Sequence, residues 1–142
     1  MNVTIIGCKN VELEQEILKA SHFFAKELLS KKMLPHITLD IVMKTTIKDL
    51  GSCTCTFTND WYKPREFAIE LRRHRSVRNT LITLAHEMVH LKQFAKGELK
   101  VDHSKWKNQP INTDEIEYHN LPWEIEACSK EFVLYAMYQE QL

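Results

Sequence analysis

The sequence predicts an α+β fold: a small sheet with helices packed on it, in the order helix, three strands, helix, irregular connection, helix. Two observations carry this. Apolar residues recur at helical spacing in three separate segments, and between the first two lie three short β-rich stretches set off by Gly and Pro. At 142 residues the chain is expected to form one domain, 1–142, long enough to bury most of its apolar surface without staples.

Residues 11–32, VELEQEILKASHFFAKELLSKK, place Leu13, Ile17, Ala20, Phe24 and Leu28 on one helical face. Acidic residues come early and lysines late, as the helix dipole favours, and Pro35 closes the segment. His22 reads as a surface residue of this helix. Residues 36–43, HITLDIVM, put Ile37, Leu39, Ile41 and Met43 on one side of a strand. Residues 52–58, SCTCTFT, follow Gly51 and are β-branched and aromatic. After the turn-like NDWYKP, residues 66–72, EFAIELR, alternate again. A three-stranded antiparallel or mixed sheet is expected.

The segment RNTLITLAHEMVHLKQFAKG reads as a long helix whose apolar side is Leu81, Leu84, Ala85, Met88, Val89 and Leu91, with Gly97 as its stop. Residues 98–120 are polar and contain Pro110, Asn112 and Asp114. They predict a loop or hairpin, of a length at which structureless connections are usually functional. Pro122 opens the last helix, PWEIEACSKEFVLYAMYQEQL, in which Trp123, Phe132, Tyr135 and Met137 read as core packing.

Composition narrows the partners. Lys plus Arg and Asp plus Glu each count 19, so no overall basic excess points to nucleic acid. The one basic cluster, LRRHRSVR at 71–78, reads as a solvated turn before a helix. No apolar run approaches the length of a membrane span, and the N-terminal residues lack a basic region followed by a long apolar one, so a cytoplasmic protein is expected. Cys8, Cys53, Cys55 and Cys128 are scattered and read as buried reduced thiols; Cys53 and Cys55 would share one face of a strand.

The chemistry concentrates in TLAHEMVHLKQF, which carries His86, Glu87 and His90. Four residues apart on a helix, His86 and His90 can turn both imidazoles onto one metal ion. Glu87 lies to the side, where it can take the proton of a water activated at the metal and act as general base. The surrounding Leu84, Ala85, Met88, Val89 and Leu91 require a largely buried helix, and coordination satisfies rings that would otherwise be costly to bury. Ligand type argues for one catalytic Zn2+, which needs a third protein ligand and an open position. Glu124, Glu126 and His103 are the candidates, followed by the pair Tyr118 and His119.

HEMVHLKQF, a polar connection and PWEIEA together resemble the small zincin-type metallopeptidases of bacteriophages and bacteria, loosely grouped with SprT-like and ImmA/IrrE-like proteins. The resemblance covers residues 77–135 and rests on layout alone before that. It implies a zinc metallopeptidase that hydrolyses protein or peptide substrates in the cytoplasm, with no membrane partner and no nucleic acid expected. In the related gluzincins the third ligand is a glutamate on a later helix, with Ala three residues on and Asp or Asn four on. That pattern selects Glu124, with Ala127 in place, and departs from the family at Cys128. Glu126 sits about 200° further round a helix, so both carboxylates cannot face one ion. SprT-like proteins instead use a histidine on the connection, which would be His103 with Trp106 nearby, although the glycine and acidic residue expected between them are absent. The family also implies an oxyanion-steadying Tyr118 or His119, and an edge strand for substrate, either EFAIEL or SCTCTFT. Two rival functions remain open: a non-catalytic zinc-binding interaction module, and a SprT-like DNA-associated protease using Arg72, Arg73, Arg75 and Arg78.

Overall fold

The computed structural model describes residues 1–56 and 63–142. Three helices pack on a mixed four-stranded sheet. The chain runs β1 (Asn2–Ile6), α1 (Val11–Leu28), β2 (Thr38–Lys44), β3 (Gly51–Cys55), β4 (Glu66–Arg72), α2 (Val77–Ala95), the short pair β5 (Lys105–Trp106) and β6 (Gln109–Pro110), and α3 (Pro122–Glu140). The sheet order is β1-β2-β4-β3.

The expected three-stranded sheet is therefore corrected to four. β1 pairs in parallel with β2 and α1 forms the crossover between them. β2 also pairs in parallel with β4, and β3 alone runs antiparallel, along the outer side of β4. β1 is β-branched from Val3 to Ile6 and its burial alternates, with Val3 and Ile5 half-buried between exposed neighbours. It is only five residues long, however, and the apolar Ile6 sits on the exposed face, so the residue types do not alternate cleanly. The sheet order decides between the two edge candidates: EFAIEL is interior, flanked on both sides, and SCTC is an edge. The expected extension of that strand through residues 57 and 58, and the turn residues 59–62, lie outside the described residues.

Period-two patterning places Leu39, Ile41 and Met43 of β2 and Phe67, Ile69 and Leu71 of β4 in the core. Ile17, Ala20 and Phe24 of α1 cover them, and Asn10 caps that helix by accepting from the Leu13 N–H. The helix ends at Leu28, earlier than the expected residue 32. α2 is the hub, packing on β3, β4, α1 and α3. Ser76 caps its start, and Gly97 (φ 73°) turns the chain away at its end, giving its N–H to the Phe94 carbonyl. The connection expected as loop or hairpin contains a hairpin, tightened by Lys107 and Asn108 at φ 49° and 70°. In α3 the buried residues are Trp123, Glu124, Ala127, Leu134 and Tyr138, whereas Phe132 and Met137, expected in the core, face outward.

The cysteines are free, but none is buried as expected: Cys8, Cys53 and Cys55 are half-buried and Cys128 is exposed. The arginines of the basic cluster are engaged within the fold. Arg72 donates to the Ile47 and Lys48 carbonyls, Arg73 to Gly7, and Arg75 to the Thr83 hydroxyl, while Arg78 lies over the Tyr135 ring. Among the described residues, no helix is long and apolar enough to cross a membrane.

Candidate metal centre

The packing of α2 against the sheet and α3 sets the site. Leu84, Ala85, Met88, Val89 and Leu91 anchor the helix in the core, which leaves His86 and His90 facing α3 and Glu87 beside Gly51 of β3. Glu124 enters from the first turn of α3 and is buried. Its carboxylate lies 3.1 Å from His86 Nε2 and 2.8 Å from His90 Nε2, and the two Nε2 atoms are 3.3 Å apart. Ligands about 2.0–2.1 Å from a tetrahedral ion stand about 3.3 Å from one another. The three donors therefore already have nearly the spacing that such an ion requires.

The outer nitrogens show why these donors converge. His86 Nδ1 donates to Glu131 Oε2 at 2.9 Å. His90 Nδ1 meets Gln93 Oε1 at 2.8 Å. The Gln93 amide is fixed by its own partners: its Nε2 donates to the Trp123 carbonyl at 3.1 Å and to Glu126 Oε1 at 2.8 Å, both pure acceptors. Its oxygen must then face His90, so the proton of each neutral ring sits on Nδ1. Both Nε2 atoms present lone pairs, and with Glu124 three acceptors point at one another. That arrangement requires positive charge among them, either protons or a metal ion. Burial opposes charge on His86, yet the Glu124 hydrogen bond and the charges of Glu87 and Glu124 outweigh it and raise the His86 pKa to about 9. His90 is raised by the same contest. For Glu124, hydrogen bonds from both rings outweigh burial and hold its pKa well below the usual carboxylate range.

The competing ligands are elsewhere. Glu126 points away into an ion-pair network, 2.8 Å from Lys92 and 3.1 Å from Lys130, and through Gln93 it braces His90. Hydrogen bonds from Lys92 outweigh its burial and keep it ionised. His103 stacks edge-on between the rings of Phe94 and Trp123 and stays outside the donor cluster. Cys128, at the position where the resemblance implied Asp or Asn, is exposed, and it is Glu131 that holds His86 Nδ1. Sequence reasoning missed Glu131 and Gln93. Their signal was spacing: Glu131 is two turns after Glu124 on α3, and Gln93 three residues after His90 on α2.

Two clefts meet at the cluster. One, of about 360 Å³, is lined by Ser52, Cys53, His90, His103 and Trp123. The other, of about 240 Å³, is lined by Thr83, His86, His119, Cys128 and Glu131. Asp49, Gly51, Glu87, Tyr118 and Glu124 border both, so they form one groove beside the β3 edge. Glu87 is only 6% exposed; burial raises its pKa and the two histidines pull it back. Burial and the Glu124 carboxylate push the Tyr118 hydroxyl up, keeping it protonated. His119 borders only the second cleft, its ring against Tyr118. Gly51 lets β3 approach α2 this closely: a Cβ there would lie 2.8 Å from Thr83 Cγ2 and 3.3 Å from Glu87 Cγ.

Comparison with protein-family models, with curated proteins and with solved structures finds no match to this chain.

Proposed function

We propose that the chain is a zinc-dependent metallopeptidase of zincin type, with His86, His90 and Glu124 as ligands and Glu87 as general base. The observation that carries the reading is the convergence of two imidazole lone pairs and a carboxylate, their outer atoms locked, beside a buried carboxylate in an open groove. Bound zinc supplies a water of lowered pKa and polarises the scissile carbonyl. Glu87 takes the proton of the attacking water and returns it to the departing amine. Glu131 and Gln93 keep the ligand rings in their tautomers. Tyr118, the better placed of the two oxyanion candidates, donates its hydroxyl proton to the developing oxyanion. Among the described residues the outer side of β3 is unpaired and offers backbone groups to an extended peptide, so the proposed substrate is a protein or peptide in extended conformation, met in the cytoplasm.

A purely structural zinc module would be closed by four protein ligands. Only three donors gather here among the described residues, and the groove borders them. The DNA-associated alternative loses support from arginines already engaged with backbone and side-chain partners.

The test is peptide hydrolysis by the purified chain, abolished by a chelator and restored by zinc. Glu87→Gln is expected to keep its metal and lose turnover. Hydrolysis that persists in metal-free protein would sink the proposal.

A further inference from the structure

A second set of donors converges on the outer side of His86. His86 Nδ1, Cys128 Sγ and the Glu131 carboxylate each place a donor atom within 4.8 Å of the other two. Cys128 and Glu131 are three residues apart on one face of α3. The Cys128 thiol is free and exposed, and it lines the second cleft together with His86 and Glu131, so an ion from solvent reaches all three. Thiolate, imidazole and carboxylate are the donor mix selected by soft and borderline d10 cations.

We propose that His86 Nδ1, Cys128 and Glu131 form a second, thiolate-held cation site, taking Zn2+ in excess or Cd2+, that shares the His86 ring with the inner site and inhibits it. On binding, the cation replaces the Cys128 thiol proton and the His86 Nδ1 proton. Two protons pass to solvent and no electrons move. Glu131 exchanges an accepted hydrogen bond for a coordination bond, and the His86 imidazolate bridges the two cations. A tetrahedral arrangement with sulfur at about 2.3 Å needs donors about 3.5 Å apart, which the exposed Cys128 side chain reaches by rotating. The ion then occupies the cleft that borders Glu87, Tyr118 and Glu124, and half of the groove is closed. The inhibitory consequence rests on the peptidase reading; the binding does not.

The experiment is a cadmium titration of the folded chain, read by equilibrium dialysis and by the ultraviolet thiolate-to-cadmium charge-transfer band. Wild type is expected to take two equivalents, with the band growing on one of them. Cys128→Ser should lose that equivalent and the band while keeping the other. Glu124→Ala should lose the inner equivalent and keep the band, and Glu131→Gln should need at least about tenfold more cadmium for it, as loss of a metal ligand does. A wild type without the band overturns the proposal, as does a band that survives Cys128→Ser or keeps its affinity in Glu131→Gln. If the chain proves to hydrolyse peptides, excess cadmium should inhibit wild type and spare Cys128→Ser. If the band behaves as expected but no hydrolysis is found, the peptidase reading fails and the cation site stands.

Discussion

Which ring nitrogen carries the proton decides what His86 and His90 can hold. Glu131 and Gln93 each accept a hydrogen bond from Nδ1–H and leave Nε2 free, and the chain Lys92, Glu126, Gln93 fixes the amide that does so. Gln93→Leu should therefore weaken zinc binding by about 10- to 100-fold, measured by competition with a chromophoric chelator, although no ligand is removed. On the proposed reading Glu87 differs in kind, since it would touch the reacting water and not the ion. Glu87→Gln should leave metal content unchanged and lower peptide turnover by about 10²- to 10⁴-fold, the range removal of a general base usually costs. A variant that lost its zinc as well would show Glu87 to be a ligand. These roles were unevenly legible. His86, Glu87 and His90 were singled out by spacing alone; helix geometry said that Glu124 and Glu126 cannot both face one ion, and only the family pattern chose Glu124. Glu131 and Gln93 left only spacing as a signal: Gln93 follows His90 by three residues on α2, an offset many polar residues share, and Glu131 meets His86 only once α3 is docked on α2.

Elements place these residues, and α2 does most of it. Its apolar face was readable from the 3.6-residue period and every residue named for it is buried. β1 was missed because it is only five residues long and the exposed, apolar Ile6 breaks the apolar–polar alternation of its sequence, and without it the parallel crossover through α1 could not be inferred. That omission left two candidates for the edge strand, which the sheet order resolves to β3. Phe132 and Met137 were misplaced because α3 is apolar around much of its circumference, so period alone did not select its buried side. The approach of β3 to α2 depends on Gly51, whose added Cβ would also lie 3.1 Å from the Glu70 carbonyl. Gly51→Ala should push β3 off the helix, destabilise the chain by about 1–3 kcal/mol in urea unfolding and lower turnover further by moving Glu87. Unchanged stability together with unchanged turnover would mean the strand has slack that the geometry denies.

At the scale of the whole molecule, the site couples folding to pH and to metal. In metal-free protein the His86 pKa is raised from 6.5 to about 9, so its stabilising contribution is complete below pH 6.5 and is lost as pH rises through about 9. Glu124 and Glu126 are depressed from 4.5, so theirs is complete above pH 4.5 and lost as pH falls through the lower folded values. Metal-free chain should accordingly be most stable between about pH 4.5 and 6.5 and weaken toward pH 9. On the proposed reading zinc would replace the proton held between the rings, so loaded protein should lose that alkaline weakness, and at 1,000-fold excess over Kd it should gain about 4 kcal/mol. Thermal scans with and without chelator across that range read both effects. The central claim is the identity of the ligands, and metal content per chain tests it most directly, for wild type and for Glu124→Ala, Glu126→Ala and His103→Ala purified alike. About one zinc in wild type, in Glu126→Ala and in His103→Ala, with loss only in Glu124→Ala, is the predicted result. A wild type that takes up no metal when zinc is supplied would contradict it, as would a Glu124→Ala variant that keeps its zinc.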